Sequence, residues 1–296
     1  MIPAAFDYQA PTSIEDALAL LGGAGDSEVK VLAGGQSLLP VLRLRLAAPD
    51  LVIDLGKIDG LTGVSQDGDT IVFGAMTTHH EVATNALVAE HLALLHEAAK
   101  SVADPQVRHR GTFGGALVHA DPAGDLLAPA LALDAEMVIA GASGTRTVPA
   151  AEFFSGLFST AVGDDEILTQ IRIPSHAGWG ARYEKFTRVS QQWSIVAVAA
   201  TVRVDGGSIA EAAVALTNMG STPVRATAVE QALVGVAASS SGAASGAAAA
   251  TAVAAAVVSV ADGTTPPTDL NGDADYRRHL AGVLTRRAVL AAAGAA

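Results

Sequence analysis

Two pairs of adjacent glycines, Gly34-Gly35 in VLAGGQSLLP and Gly114-Gly115 in RGTFGGALVHADPAGD, are the residues of this 296-residue chain whose types and spacing point most directly to chemistry. A residue without Cβ lets backbone come very close to a ligand. Consecutive amides in such a turn can line a concavity that attracts an anion. Two of these turns, read as loops, could grip a pyrophosphate from both sides. Cations are few nearby: Lys30 flanks the first pair, Arg108 and Arg110 the second. A phosphate held here would therefore rest mainly on backbone donors. Neither pair alone is a nucleotide fingerprint. No G-x-G-x-x-G follows a strand and no G-x-x-x-x-G-K-[ST] occurs, which argues against a dinucleotide site of the Rossmann kind and a P-loop. Gly35-Gln36-Ser37-Leu38-Leu39 begins like a nucleophile elbow but lacks its closing glycine. Taken singly, either pair is more simply a tight turn.

Other chemistries have less support. The chain has no cysteine, so it offers neither disulfides nor a thiol nucleophile, and no thiolate for an iron–sulfur cluster. Its eight histidines form no metal-binding pattern. His79-His80-Glu81 lacks the second half of H-E-x-x-H, and the spacing of His91 and His96 splits them onto different helix faces. Most of these side chains read as solvated.

The elements that must position the glycines follow from pattern. Thr12-Ser13-Ile14-Glu15 reads as a capping box, followed by a helix that Gly22-Gly23 stops. Val29 to Ala33 is a short strand running into the first glycine pair, Ser37 to Leu46 a helix, and Leu51 to Leu55 a strand. That order suits a small α/β unit with a ligand at the strand's C-terminal end. Thr70 to Ala75 is a strand, and Thr78 caps the next helix. His91 to Ala103 is an amphipathic helix ending at Asp104-Pro105. The second glycine loop comes next, then a helix from about Asp125 to Leu133. Glu136 to Ala140 and Thr145 to Val148 form a hairpin, and Glu166 to Ile173 is a strand closed by Pro174. A boundary falls at 175/176. Beyond it, Arg182 to Val189, Ser194 to Val204 and Ile209 to Leu216 are strands. Thr222-Pro223 reads as an N-cap with proline at the first helical position, opening a helix to about Val234. The Ala/Ser-rich stretch 237–261 is expected to loop through Gly246 and then turn helical, and Tyr276 to Ala293 is a final helix.

Length and composition set the frame. The chain is long enough for about two domains: 1–175, with subdomains of about 1–58 and 59–175, and 176–296. A formal charge of −12 argues against a nucleic-acid or anionic-membrane surface. No window has the apolar length of a membrane span. MIPAAFDYQAP lacks the regions of a signal peptide, so a cytoplasmic location is expected.

The motifs together resemble a known family. AGGQSLLP at 33–40, ADPQVRHRGTFGGALVHADPAGDLLAPALAL at 103–133, EILTQIRIP at 166–174 and RYEKF at 182–186 look like the FAD-binding medium subunit of molybdenum hydroxylases, the xanthine dehydrogenase superfamily. The likeness runs from FDY near the start to DYRRHLAGVLTRRAV at 275–289. ADPQVR, ALTNMGSTP and that last run look most like the medium subunit of aerobic carbon monoxide dehydrogenases.

The resemblance implies an α+β fold: an N-terminal FAD-binding domain of two α/β subdomains, then a three-stranded antiparallel sheet with helices, FAD lying between them. It implies that Ala33, Gly34, Gly35, Gln36 and Ser37 form the first pyrophosphate loop, with Val31, Leu32 and Leu38 beside the cofactor. Thr112, Phe113, Gly114, Gly115 and Ala116 would form the second. Asp125 matches a polar FAD contact, Leu168 a residue whose backbone meets the flavin's pyrimidine edge, Lys185 a cation near that edge, and Trp193 an aromatic near the isoalloxazine. A cation there would stabilise the reduced, anionic ring. Two departures stand out. Ala116 replaces an Asn or Asp, and Gln191-Gln192-Trp193-Ser194 replaces a Gly-Asp-aromatic-Ala segment of carbon monoxide dehydrogenases.

The implied role is electron relay. A large partner subunit would hold the molybdenum cofactor and a small one the iron–sulfur clusters, in a dimer of heterotrimers. FAD would pass electrons to an external acceptor, a quinone or NAD. The rivals are a medium subunit of a xanthine, aldehyde or N-heterocycle dehydrogenase, a self-contained FAD oxidoreductase, and a structural subunit without flavin.

Overall fold

A computed structural model describes residues 2–238 and 243–294. The first unit is a small parallel sheet in the order β1-β3-β2. It is formed by β1 (Asp7–Gln9), α1 (Ile14–Gly22), β2 (Val29–Leu32), α2 (Leu38–Arg43) and β3 (Leu51–Asp54). The cap of α1 is Ser13, not Thr12: the Ser13 hydroxyl accepts from the Asp16 amide, one residue along from the expected box. α2 is shorter than its apolar run: it stops at Arg43, Arg45 turns left-handed at φ +57, and Leu44 and Leu46 lie exposed.

The second unit is a five-stranded sheet, β4-β5-β10-β6-β7, with helices packed on one side. Its chain order is β4 (Val64–Asp67), β5 (Thr70–Gly74), α3 (His79–Thr84), α4 (Ala86–His91), α5 (Ala93–Ser101), α6 (Pro105–Arg108), α7 (Phe113–His119) and α8 (Leu127–Ala132). Then come β6 (Glu136–Gly141), β7 (Gly144–Pro149), α9 (Ala150–Phe153), the ribbon β8 (Phe154–Gly156) with β9 (Ser159–Thr160), and β10 (Ile167–Pro174). Asp104-Pro105 does not simply end a helix. The Asp104 carboxylate accepts from the Val107 amide, so the pair opens α6. The second glycine pair is likewise no loop. Thr112 caps α7, and Gly114 and Gly115 form that helix's first turn.

The third unit is an antiparallel sheet of three long strands and a short fourth: β11 (Gly180–Phe186), β12 (Val196–Asp205), β13 (Ser208–Thr217) and β14 (Val224–Arg225). It is followed by α10 (Thr227–Leu233), α11 (Ala243–Ala256) and α12 (Ala274–Ala292). Thr222-Pro223 starts no helix. Val224 and Arg225 pair with Leu216 and Ala215, and Arg225 reaches the Leu131 carbonyl and the Asp134 carboxylate. These bonds keep the backbone extended and delay the helix to Thr227. α11 begins at Ala243, ahead of Gly246; residues 239–242 of the expected loop lie outside the described residues.

The long sheet is covered on both faces, so β12 reads as an almost unbroken apolar run. Ala197, Ala199, Ala213 and Ala215 face the second unit and share one core with Leu94, Leu95, Ala98 and Leu127. Val196, Val198, Val202, Val214 and Leu216 face α10 and α12. Small side chains on the first face let the sheet lie close to α5 and α8. The expected boundary at 175/176 is therefore crossed by a continuous core. The connecting segment is also pinned: the Ser175 amide donates to the Asp69 carbonyl, the His176 amide to the His91 carbonyl, and Ser175 Oγ lies 2.9 Å from His91 Nδ1.

Candidate functional site

The C-terminal end of β2 and the start of α7 meet at one cleft of about 600 Å3, within the usual size of a small-molecule site, about 300–1,000 Å3. The meeting is itself the work of the glycines. A Cβ on Gly34 would overlap the Arg110 carbonyl oxygen, one on Gly114 would lie 2.6 Å from the Ala75 carbonyl oxygen, and one on Gly115 would lie 3.2 Å from the Ala33 Cβ. The two pairs thus bring backbone against backbone, and the site they frame lies at that junction.

The two pairs differ as donors. Among the described residues, the amides of Gly34, Gly35, Gln36 and Ser37 have no protein acceptor. Gly35 has φ +75, so the loop turns back and these four consecutive N–H groups sit at the cleft wall. That is the makeup of an anion nest. At the second pair the amides are already used. Phe113 donates to the Thr77 carbonyl at 2.8 Å, Gly114 to the Ala75 carbonyl at 2.9 Å, Gly115 to the Thr112 hydroxyl at 3.2 Å and Ala116 to the Thr112 carbonyl at 3.0 Å. The expectation of two equivalent gripping loops therefore changes. The first pair offers donors; the second offers a close, flat wall. No arginine lines the cleft among the described residues, and its one lysine, Lys30, is paired with Glu28 at 3.2 Å. A diphosphate here fits four backbone amides far better than side-chain cations.

Of the residues implied by resemblance, Val31, Ala33, Gly34, Gly35, Gln36, Ser37, Leu38, Thr112, Gly114, Gly115, Ala116, Asp125, Leu168 and Trp193 all line this cleft. Leu168 stands at a register shift in β10, beside Ile167 and Glu166. Trp193 is 57% exposed at the mouth, next to Gln191 and Gln192. Three residues do not line the cleft. Leu32 belongs to β2. Phe113 is fully buried with its ring edge-on to Phe73. Lys185 is turned into the protein: its ammonium donates to Asp125 Oδ2 at 2.7 Å and to the Ser101 carbonyl at 3.1 Å.

Asp125 is the most connected side chain of the site. Besides Lys185, its Oδ1 accepts from the Tyr183 hydroxyl at 2.9 Å and the Ser194 hydroxyl at 2.8 Å. Burial raises its carboxyl above the usual range, while the charge of Lys185 and the three donors pull it back. Burial, with the Asp125 charge behind it, raises the Tyr183 phenol well above its ordinary value. Tyr183 and Ser194 were not singled out from the sequence. The available signal was period two: Tyr183 and Lys185 stand two apart on β11 and so share a face.

Two further groups escaped the sequence reading. His79, expected to be solvated, is buried in the cleft wall below Gly111, its backbone amide donating to the Gly111 carbonyl at 2.9 Å. Burial, helped by the Arg108 charge, lowers its pKa to about 4, so the ring is neutral at pH 7. Glu166 lines the far end of the cleft and is gripped by Arg146 through Nε at 2.8 Å and Nη2 at 2.6 Å. Those bonds, aided by the Gly163 amide, lower its pKa to about 2.

Comparison with known proteins follows the same line. The family model for the FAD binding domain in molybdopterin dehydrogenase matches residues 4–176, and that for the CO dehydrogenase flavoprotein C-terminal domain matches residues 181–292. The carbon monoxide dehydrogenase medium chain of Hydrogenophaga pseudoflava is 41% identical over 293 residues, 99% of this chain and 98% of that one. The nicotine 6-hydroxylase medium subunit of Paenarthrobacter nicotinovorans is 37% identical over 289 residues, 97% of each. The solved carbon monoxide dehydrogenase of Hydrogenophaga pseudoflava that lacks the Mo-pyranopterin moiety of its cofactor superposes with a TM-score of 0.89 at 42% identity, covering 100% of this chain and 99% of that chain.

Proposed function

This chain belongs to the FAD-binding family of molybdopterin dehydrogenases, and on that premise we propose that it is the flavin-carrying medium subunit of a molybdenum hydroxylase of the carbon monoxide dehydrogenase type. The observation that carries the proposal is the run of four unpartnered amides, Gly34 to Ser37, at a cleft whose other wall is the start of α7. They hold the diphosphate. Leu168 and Trp193 both line the cleft and would flank the flavin ring, Leu168 through its strand backbone and the exposed Trp193 from the mouth. Lys185 is paired with Asp125, which ties it to the cleft wall. When bound, FAD supplies the redox chemistry, receiving electrons from partner iron–sulfur clusters and passing them to a quinone or NAD. Substrate oxidation belongs to a large partner subunit carrying the molybdenum cofactor, with a small iron–sulfur subunit between, in a dimer of heterotrimers placed in the cytoplasm. The chain divides for this role into an FAD-binding part, 1–175, and a C-terminal part, 176–296.

Carbon monoxide is the first substrate to test, since the medium chain of Hydrogenophaga pseudoflava carries it in its name. An N-heterocycle to be hydroxylated is second, since a nicotine 6-hydroxylase medium subunit matches over 289 residues. The test is purification of the tagged chain from cells expressing its own neighbouring subunits. Visible flavin absorption, molybdenum and iron in the complex, and turnover of one of these substrates by the complex but not by the isolated chain are expected. Turnover by the isolated chain at the rate of the complex would overturn the division of labour.

A further inference from the structure

We propose that Asp125 is the positioning residue of the Trp193 loop: a buried carboxylate latch that fixes Ser194 and thereby holds the indole of Trp193 at the cleft mouth. Trp193 sits on the nine-residue connection, 187–195, between β11 and β12 and is itself more than half exposed. An aromatic more than half exposed on a hairpin loop has little packing of its own to hold it. The residue after it is different. Ser194 is 2% exposed, and its hydroxyl donates to Asp125 across 69 positions of chain. Asp125 is also buried, and it belongs to the other half of the molecule, just before α8.

The latch is built from both sides. Tyr183 and Lys185 of β11 donate to the same carboxylate, so the strand that leads into the loop is tied to it as well. On the exit side, Asn218 Nδ2 donates to the carbonyls of Ser194 and Ile195 at 2.9 and 3.2 Å, and the Asn218 amide donates to the Pro122 carbonyl at 2.9 Å. Arg277 of α12 also donates to the Ile195 carbonyl. The ties to Ser194 and Ile195 act on the two residues that follow Trp193, and among the described residues none acts on Trp193 itself. That arrangement fixes a backbone and leaves the indole free to face a ligand. It also uses Asp125 fully on protein partners, so Asp125 acts on a bound ring through Ser194.

The spectroscopic consequence rests on the proposed contact between Trp193 and flavin; the positioning itself does not, and the experiment separates the two. The chain has two tryptophans, so in the full-length Trp179→Phe background the emission of Trp193 reports alone. Without FAD, Ser194→Ala should lower the anisotropy of Trp193 and raise its quenching by acrylamide, while Ser194→Thr, which keeps the hydroxyl, should restore both. With FAD, Ser194→Ala should change flavin emission in the same direction as Trp193→Ala and add nothing when the two are combined. Asp125→Asn should act in the same sense as Ser194→Ala, and the milder Ser194 variant keeps the test valid where the buried carboxamide prevents folding. Unchanged Trp193 anisotropy in a folded Ser194→Ala chain, or failure of Ser194→Thr to restore it, overturns the latch. If Trp193→Ala leaves flavin emission unchanged, the flavin contact fails and the apo anisotropy still decides the latch.

Discussion

At the scale of the residue, Trp193 and Asp125 divide one task. Trp193 is exposed at the mouth, and Asp125 is buried behind it with three donors. A stacked aromatic is worth about 1 kcal/mol beyond its buried area. If that contact favours one redox state, removing it shifts a two-electron potential by about 20 mV. Trp193→Ala is therefore expected to brighten bound-FAD emission and move the potential by that amount, as read by fluorescence and a dye-coupled redox titration. A variant that keeps its FAD and shows neither change makes Trp193 a surface residue. Lys185 shows how far resemblance carries at this scale. It matched a cation beside the flavin, yet its ammonium is spent on Asp125 and the Ser101 carbonyl. A positive charge is visible in a sequence, but the carboxylate that neutralises it stands 60 positions away.

At the scale of the element, the start of α7 is tightly built against the strand before it. Gly114 lies in the first helical turn, with the Ala75 carbonyl where its Cβ would be. Gly114→Ala is expected to destabilise the apo-protein by about 1–3 kcal/mol, the cost of forcing a methyl into a packed site. A chemical denaturation of the FAD-free chain checks this; an unshifted midpoint contradicts it. The same junction makes the fold sensitive to acid through His79. Its pKa is about 4 in the folded chain and near 6.5 when unfolded, so the unfolded state binds the extra proton between those values. Stability from this group is fully present above pH 6.5 and is lost as pH falls through about 4. The whole effect is about 3 kcal/mol, from 1.36 kcal/mol per pKa unit. His79→Gln should flatten that part of the stability–pH curve, measured as unfolding midpoints from pH 7 to 4. An unchanged slope removes His79 as its cause.

Elements also show what the sequence made legible. β2, the first glycine turn, the hairpin β6–β7 and α12 follow directly from apolar period and punctuation. The second glycine pair read as a loop because two glycines hide a helix that Thr112 caps and Thr77 and Ala75 anchor. Thr222-Pro223 read as a helix start because nothing local announces that Arg225 is held by Leu131 and Asp134. The cap at Thr78 was legible, but the burial of the next residue, His79, depends on Gly111 and α6, which arrive from elsewhere in the chain. Local chemistry shows in a sequence; contacts between distant segments do not.

At the scale of the whole molecule, a core shared across 175/176 and the ties from Asp125 to β11 and Ser194 hold the C-terminal sheet against the FAD-binding half. The cleft lies where this shared core beneath α7 meets the separate core beneath β2, with Gly34 against the Arg110 backbone. Among the described residues no helix is long and apolar enough to cross a membrane. The turn after β2 presents the amides of Gly34 to Ser37 at the cleft, where they would hold the diphosphate of FAD. The most direct measurement is a fluorescence titration of the FAD-free full-length chain with FAD, beside Gly35→Ala, which must place a side chain at φ +75. In the FAD-free variant the turn can relax to relieve strain of about 1–3 kcal/mol at such a position, and re-forming the turn on binding then costs about five- to 150-fold in affinity. One FAD is expected to bind per wild-type chain, with a loss of that size in a Gly35→Ala chain that still folds. A folded wild-type chain that binds no FAD, or a folded Gly35→Ala chain that binds it as tightly as wild type, would contradict that role of the amides.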